Sequence, residues 1–209
     1  VHYKSGRWDY VKNPDRENFK NTFVQPKVEE IDFIEYDQKI HFHSDVPVIS
    51  TNAMGIDNWG INTINAPHAW QNGLRGQNTL VAVIDSGVDV NHSQLRNQIA
   101  YNPGESGTLS NNGVDDDGNG FVDDYAGYNF YDETGNVTDR LGHGTHVAGI
   151  IAAQHNDNSH MTGYVQGIAP QAKILPVKFL GEDGGTMSGA LRSIDYAISR
   201  GAKIINASW

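Results

Sequence analysis

Apolar residues in the second half of the chain form three short continuous runs. These runs occupy residues 79–84 (TLVAVI), 174–180 (ILPVKFL) and 203–209 (KIINASW). Continuous apolar runs of this length are typical of strands buried on both faces of a parallel sheet. Between the second and third runs, Met187, Leu191, Ile194 and Ile198 recur at helical spacing, and Gly201 suits the end of a helix. The pattern predicts a strand–helix–strand unit with a right-handed crossover.

Pro67 and Gly73 frame a shorter predicted helix, since proline suits the first helical position and glycine the stop. The sequence ends at Trp209, in or just after a predicted strand. We therefore expect an α/β fold with a doubly wound, mostly parallel sheet that is incomplete at its C-terminus.

The first part of the chain has a different character. Residues 1–27 are polar and lack periodicity, which predicts an arm lying on the surface or partly disordered. Residues 28–43 (VEEIDFIEYDQKIHFH) alternate in places and predict one or two short strands. Proline, asparagine and glycine then indicate a linker. The predicted division is a small N-terminal extension (1–45), a linker (46–58) and the α/β domain (59–209).

Composition narrows the possible functions. A net charge of −10 and an isoelectric point near 5.2 argue against a nucleic-acid or anionic-membrane surface. The sequence has no cysteine, which excludes disulfides and a thiolate nucleophile. No apolar run approaches the roughly 20 residues that span a bilayer.

Two residues stand out as candidate chemistry. Asp85 follows the first apolar run, where ligand-binding groups gather in a parallel sheet, although a helix cap or a turn would also explain it. His143 begins a run of small and apolar residues, LGHGTHVAGIIAA, that predicts a buried helix. The positive end of that helix disfavours a charged imidazole, and a neutral imidazole suits a general base.

Three motifs, in order, resemble the subtilisin-like serine peptidases (subtilases): VAVIDSGVDVNHSQL, LGHGTHVAGIIAA and KIINASW. The resemblance implies that Asp85 orients the imidazole and that His143 is the general base. It implies a structural role for His146, and a role for Asp139 in tuning nearby substrate subsites.

The resemblance also implies parts that these residues do not contain. The nucleophilic serine of subtilases lies in a GTSMA-type motif, and no such motif occurs in residues 1–209. We expect a serine endopeptidase acting on polypeptides, whose serine is supplied by a C-terminal portion of the same protease. An inactive subtilase-like binding protein and a calcium-binding structural module are the alternatives.

The family resemblance implies a substrate edge at residues 180–186 (LGEDGGT), where Gly184 and Gly185 would let an extended peptide pair with the backbone. A plain glycine turn is the alternative. Ser208 matches the strand that begins one wall of the pocket for the residue before the scissile bond.

Residues 112–124 (NGVDDDGNGFVDD) carry five carboxylates among glycines, a pattern that suits calcium. The predicted ligands are Asp115, Asp117, Asn119, Asp123 and Asp124. A solvated acidic loop is the alternative, and Ala126 stands where an EF-hand would have its glutamate. Extracellular subtilases carry comparable insertions, so we expect a secreted protein. A second family site would use Gln94 and Asn156.

The segment 28–43 also resembles the end of a subtilase propeptide. The resemblance implies that residues 1–45 are a partial inhibitory propeptide, acting in cis and cleaved within residues 41–51. An ordinary extension of the mature enzyme is the alternative.

Overall fold

The computed structural model describes residues 1–13, 15–41, 59–155 and 164–209. It divides into two compact units, Val1–Gln38 and Lys39–Trp209. The first unit ends before the predicted boundary at residue 45, because Lys39 and Ile40 form a strand of the second unit. The predicted linker lies outside the described residues.

The first unit is folded. Strands β1 (His2–Tyr3) and β2 (Ile31–Phe33) pair antiparallel, and a helical stretch between them starts with α1 (Arg16–Phe19). Asp15 caps that helix by accepting a hydrogen bond from the Asn18 amide. Tyr3 is 2% exposed. The expectation of partial disorder is therefore wrong, because strand pairing across a long sequence separation leaves little local periodicity.

The second unit carries the remaining regular elements. These are β3 (Lys39–Ile40), α2 (Trp59–Thr63), α3 (Ala66–Gln71), β4 (Leu80–Asp85), β5 (Tyr128–Asn129), α4 (His143–Ala152), β6 (Lys173–Lys178), β7 (Gly185–Thr186), α5 (Met187–Ser199) and β8 (Ile204–Asn206).

Four of these strands form one parallel sheet in the order β5-β6-β4-β8. From β4 the chain reaches β6 on one side, then crosses through α5 to β8 on the other. All three apolar runs found in the sequence become strands of this sheet, and the prediction of a mostly parallel α/β sheet is confirmed.

Successive residues of β4 feed two separate cores, one on each face of the sheet. Val81 and Val83 pack with Ala148 and other residues on the α4 side. Ala82 and Ile84 pack on the other side with residues of α5. Helices thus cover both faces, which makes the sheet doubly wound. Because side chains alternate, the next residue, Asp85, belongs to the α4 side.

Helix α5 packs on the sheet mainly through small residues, together with Tyr196 and the partly buried Ile194. Its buried residues are Gly189, Ala190, Ser193, Tyr196 and Ala197. Met187, Leu191 and Ile198 of the helical pattern are exposed. Thr186 caps the helix by accepting from the Gly189 amide at 3.1 Å. The periodicity predicted the helix correctly. Close packing on the sheet requires mostly small side chains at the interface, so several of the large apolar ones face outward.

Candidate active site

Asp85 and His143 meet at the carboxyl end of β4. The imidazole Nδ1 lies 2.8 and 2.9 Å from the two carboxylate oxygens of Asp85. The Asp85 side chain is fully buried, and the His143 side chain is 18% exposed. Since a carboxylate can only accept, Nδ1 carries the hydrogen and the lone pair is on Nε2. The arrangement is that of an oriented general base.

Two glycines allow this approach of helix to strand. A Cβ on Gly144 would stand 2.1 Å from the carbonyl oxygen of Gly87 and 3.1 Å from the Cβ of Asp85. Gly87 has φ +108°, and a Cβ there would lie 2.4 Å from the Val137 carbonyl oxygen. A side chain at Gly144 would push α4 away from β4 and separate the imidazole from its carboxylate, and one at Gly87 would displace the segment that carries Val137 and Asp139.

Asp139 lies beside the first turn of α4. Burial raises the pKa of its carboxyl, but hydrogen bonds from Thr145, Gly142 and Ser86 outweigh that effect, so the pKa is below its ordinary value. The carboxylate is therefore ionised at neutral pH and faces the helix N-terminus. Its predicted role in tuning substrate subsites has no counterpart in these contacts.

His146 is exposed on the outer surface of α4. Its side chain therefore does not pack between the helix and the sheet within the described residues, and its structural role stays a prediction. The inward positions of this helix are taken instead by residues such as Ala148 and Ala152, which are fully buried.

The predicted substrate edge contains a glycine turn, closed by hydrogen bonds between Gly181 and Gly184, and then the short strand β7, which pairs with another segment of the chain. Lys39 and Ile40 of β3 run antiparallel to β7, with Ile40 opposite Gly185. A Cβ on Gly184 would stand 2.1 Å from the Ile40 carbonyl oxygen. The glycine is thus required for close backbone approach at this edge. Ser208 follows β8, is exposed, and its hydroxyl lies 2.6 Å from Oδ1 of Asn206.

The acidic loop forms a cluster with a residue that the sequence analysis did not select. Carboxylate oxygens of Glu105, Asp115 and Asp117 lie within 4.8 Å of one another. Glu105 is fully buried on a short helical turn, and its Oε1 accepts from the Asp116 amide at 2.8 Å. Its buried Oε2 has no hydrogen-bond partner among the residues that the structure describes. A buried carboxylate oxygen without a donor is costly, which suits a cation ligand.

Asp124 is fully buried and has protein partners on both oxygens. Tyr196 Oη and Arg200 Nη1 each donate to Oδ2 at 2.7 Å, while the side-chain amide of Asn102 donates to Oδ1 at 2.6 Å. The side-chain amide of Asn119 also donates to Oδ2, at 3.2 Å. These contacts attach the end of the acidic loop to α5. The charge of Asp124 is balanced by Arg200 rather than left for a metal ion.

Asp123, another predicted ligand, accepts backbone hydrogen bonds from Asn112 and Gly113. It therefore closes the loop rather than joining the carboxylate cluster.

The predicted second calcium site is half outside the described residues, which exclude Asn156. Gln94 is 4% exposed, and its amide donates to the carbonyl oxygens of Gln154 at 3.1 Å and Val165 at 2.7 Å. Its oxygen accepts from the Val165 amide at 3.3 Å. Gln94 thus joins the two chain segments directly.

Comparisons with known proteins identify the family. The family model described as "Subtilase family" matches residues 76–209, more than half of the chain. The chain belongs to the subtilase family. The match includes both members of the Asp85–His143 pair.

Relatives within the family come from distant organisms. Subtilisin-like protease 1 of Plasmodium falciparum is 41% identical over 63% of this chain and 18% of its own length. The Major intracellular serine protease of Bacillus subtilis is 39% identical over 71% of this chain and 39% of its own. The alkaline protease of Alkalihalobacillus alcalophilus is 31% identical over 88% and 40%. The chain thus spans about a fifth to two fifths of these relatives.

A crystal structure of a lanthipeptide protease matches with a TM-score of 0.46 and 26% identity, covering 68% of this chain and 32% of that one.

Within the described residues, no helix is long and apolar enough to cross a membrane.

Proposed function

We propose that this chain is the N-terminal part of a serine endopeptidase that hydrolyses peptide bonds through an acyl-enzyme. The hydrogen bond from His143 Nδ1 to Asp85 carries the proposal, together with membership of the subtilase family. An imidazole held by a buried carboxylate is the base that a serine nucleophile needs.

In the proposed mechanism, His143 Nε2 takes the proton of the attacking serine and later gives it to the leaving amine. Asp85 keeps the hydrogen on Nδ1 and stabilises the imidazolium that forms between these steps. Asp85 therefore fixes the orientation of the imidazole before any substrate is bound.

We propose that the serine comes from a C-terminal portion of the same protease. Ser86 lies closest in sequence to the pair, but its hydroxyl donates to Asp139 at 2.9 Å and accepts from the Gly144 amide at 3.0 Å. Ser208 is bonded to Asn206. These contacts occupy the hydroxyls of Ser86 and Ser208, and the missing GTSMA-type motif supports a serine from the C-terminal portion.

A peptidyl phosphonate diphenyl ester tests the function, because an active-site serine attacks its phosphorus, expels phenol and becomes phosphonylated. The complete protease is expected to be labelled covalently at a single serine, detected by mass spectrometry, and the His143→Ala variant is expected to label at least 100-fold more slowly. Absence of labelling in the folded complete protein would favour the inactive binding protein instead.

The pairing of β3 with β7 supports an inhibitory propeptide in residues 1–45. An antiparallel strand at an open edge is how an extended peptide binds, and Lys39–Ile40 has this geometry next to Gly184. We propose that substrate polypeptides use the same edge once this segment is removed.

N-terminal sequencing of active protease tests the propeptide. We expect the mature chain to begin within residues 42–52, which corresponds to cleavage within 41–51. Fully active material that still begins at Val1 would contradict the propeptide and favour an ordinary extension.

We propose a calcium ion held by Glu105, Asp115 and Asp117, with Asn119, Asp123 and Asp124 shaping the loop around it. The unpaired Oε2 of Glu105 supports a cation at this place. Bound calcium would neutralise the mutual repulsion of the three carboxylates and so hold the loop together. We propose a secreted location, since a site with three carboxylates suits the weak calcium affinities of extracellular modules.

A further inference from the structure

Asp139, a carboxylate next to the catalytic pair, accepts several hydrogen bonds that the proposed mechanism does not use. Oδ1 of Asp139 accepts from the amides of Leu141 at 3.0 Å and Gly142 at 2.9 Å, and from the Ser86 hydroxyl at 2.9 Å. Oδ2 accepts from the Thr145 amide at 2.9 Å and its hydroxyl at 2.7 Å. The side chain therefore binds both sides of the first turn of α4.

This first turn lacks the usual cap. Gly142 occupies the N-cap position with φ +80° and has no side chain, so it cannot accept from the free amides of the turn. Asp139 accepts instead from the Gly142 and Thr145 amides, with a negative charge that suits the helix N-terminus, while the Gly144 amide donates to Ser86. His143 is the first residue of that turn, so its backbone position depends on this carboxylate.

Ser86 connects the same carboxylate to the strand that carries Asp85. Its hydroxyl donates to Asp139 and accepts from the Gly144 amide at 3.0 Å, and its own amide donates to Asp85 Oδ1 at 2.7 Å. The two groups of the catalytic pair are thus joined twice, once directly and once through Ser86.

The segment that carries Asp139 is itself fixed to the sheet. The Val88 amide donates to the Val137 carbonyl at 2.9 Å, and Lys178 Nζ donates to the Thr138 carbonyl at 2.9 Å. Asp139 therefore has an anchored backbone and cannot follow α4 if the helix moves.

We propose that Asp139 is a positioning residue that fixes the orientation of the His143 imidazole relative to Asp85, with Ser86 as its link to β4. The inference rests on the proposed function of the pair. Asp139 touches neither the base nor the substrate edge in the described contacts, so it acts on the rate through the first turn of α4. A shift of about 1 Å in a catalytic group lowers a rate by about 100-fold.

Asp139→Asn in the complete protease is the main test. An amide cannot accept on both of its atoms, so either the Oδ1 donors or the Thr145 donors lose their acceptor. We expect kcat to fall about 10- to 100-fold with KM within about twofold, and the phosphonate labelling rate to fall by the same factor. The control is Asp132→Asn, an exposed carboxylate with the same charge change, which should keep kcat.

A pair of Thr145 variants separates positioning from packing. Thr145→Val keeps the shape but loses the hydroxyl, whereas Thr145→Ser keeps the hydroxyl and loses the methyl group. We expect serine to retain kcat within about twofold and valine to lose about tenfold. The reverse order would assign Thr145 to packing and overturn the inference, even if Asp139→Asn did not fold.

A proton NMR signal makes the test independent of activity. The His143 Nδ1 hydrogen bonded to Asp85 should give a low-field resonance in wild type that shifts or broadens in Asp139→Asn. Wild-type protein that is not labelled at serine would refute the proposed function alone. An unchanged resonance and an unchanged kcat in Asp139→Asn would refute the positioning role.

Discussion

Replacement of Asp85 by asparagine is expected to lower kcat of the complete protease about 10⁴-fold, as loss of the carboxylate does in a Ser-His-Asp triad. The Ser86 amide donates to Asp85 Oδ1 at 2.7 Å. In the variant, this donor holds the side-chain oxygen of asparagine and turns its NH₂ group toward His143. The NH₂ group then takes the place of Oδ2, which lies 2.9 Å from Nδ1, and favours the tautomer in which Nδ1 accepts. In that tautomer the hydrogen is on Nε2, and the lone pair needed by the serine is lost.

The measurement is kcat on a peptide substrate together with the melting temperature. Because asparagine has the shape of aspartate, we expect the variant to remain folded. Asp89→Asn is the matched control, since it lies four residues further on, is exposed and makes the same charge change. Retention of more than a tenth of wild-type kcat would sink the assignment of Asp85 as the orienting carboxylate.

The sheet could be predicted because each buried strand leaves a local signal. Residues 79–84 and 174–180 are apolar except for Thr79 and Lys178, and the structure forms β4 and β6 within one residue of where these runs begin. Strand β5 has no such signal, since it consists only of Tyr128 and Asn129 at the edge of the sheet. Two residues are too few to carry a pattern.

The Asp85–His143 pair was predicted from motifs, and the structure brings the two side chains together. Glu105 was missed because it lies outside the acidic run, and only the turn at Pro103–Glu105 brings it to Asp115. Asp124 was predicted as a calcium ligand from its place in that run. Its partner Arg200 lies 76 residues away, and no local pattern announces that pairing.

Asp139 illustrates a further limit of sequence reasoning. A resemblance can say that an acidic residue belongs four positions before the histidine, but it cannot say what the carboxylate contacts. Its geometry depends on Gly142 leaving the helix uncapped and on Ser86 arriving from another strand. A role that depends on contacts between three separate segments of the chain can be assigned only from the three-dimensional structure.

Glu105→Gln is expected to abolish stabilisation by calcium while raising the stability of the calcium-free protein. In wild type, calcium at 100 times its dissociation constant should stabilise the fold by about 2.7 kcal/mol. That corresponds to a melting temperature about 5–11 °C higher than in chelator. Glutamine removes a charged ligand, so this increment should largely disappear.

In the calcium-free protein, the same substitution is expected to leave the melting temperature unchanged or raise it. Without an ion, wild type keeps a fully buried carboxylate whose Oε2 has no donor, near Asp115 and Asp117. A neutral amide of the same shape removes that repulsion and lowers the cost of burial, so in chelator Glu105→Gln should melt at or above the wild-type temperature. Asp116→Asn, an exposed neighbour outside the cluster, should keep the full calcium increment. An undiminished calcium response in Glu105→Gln would show that the ion, if bound, is held elsewhere, because a ligand that binds only the folded state must act through its own contacts.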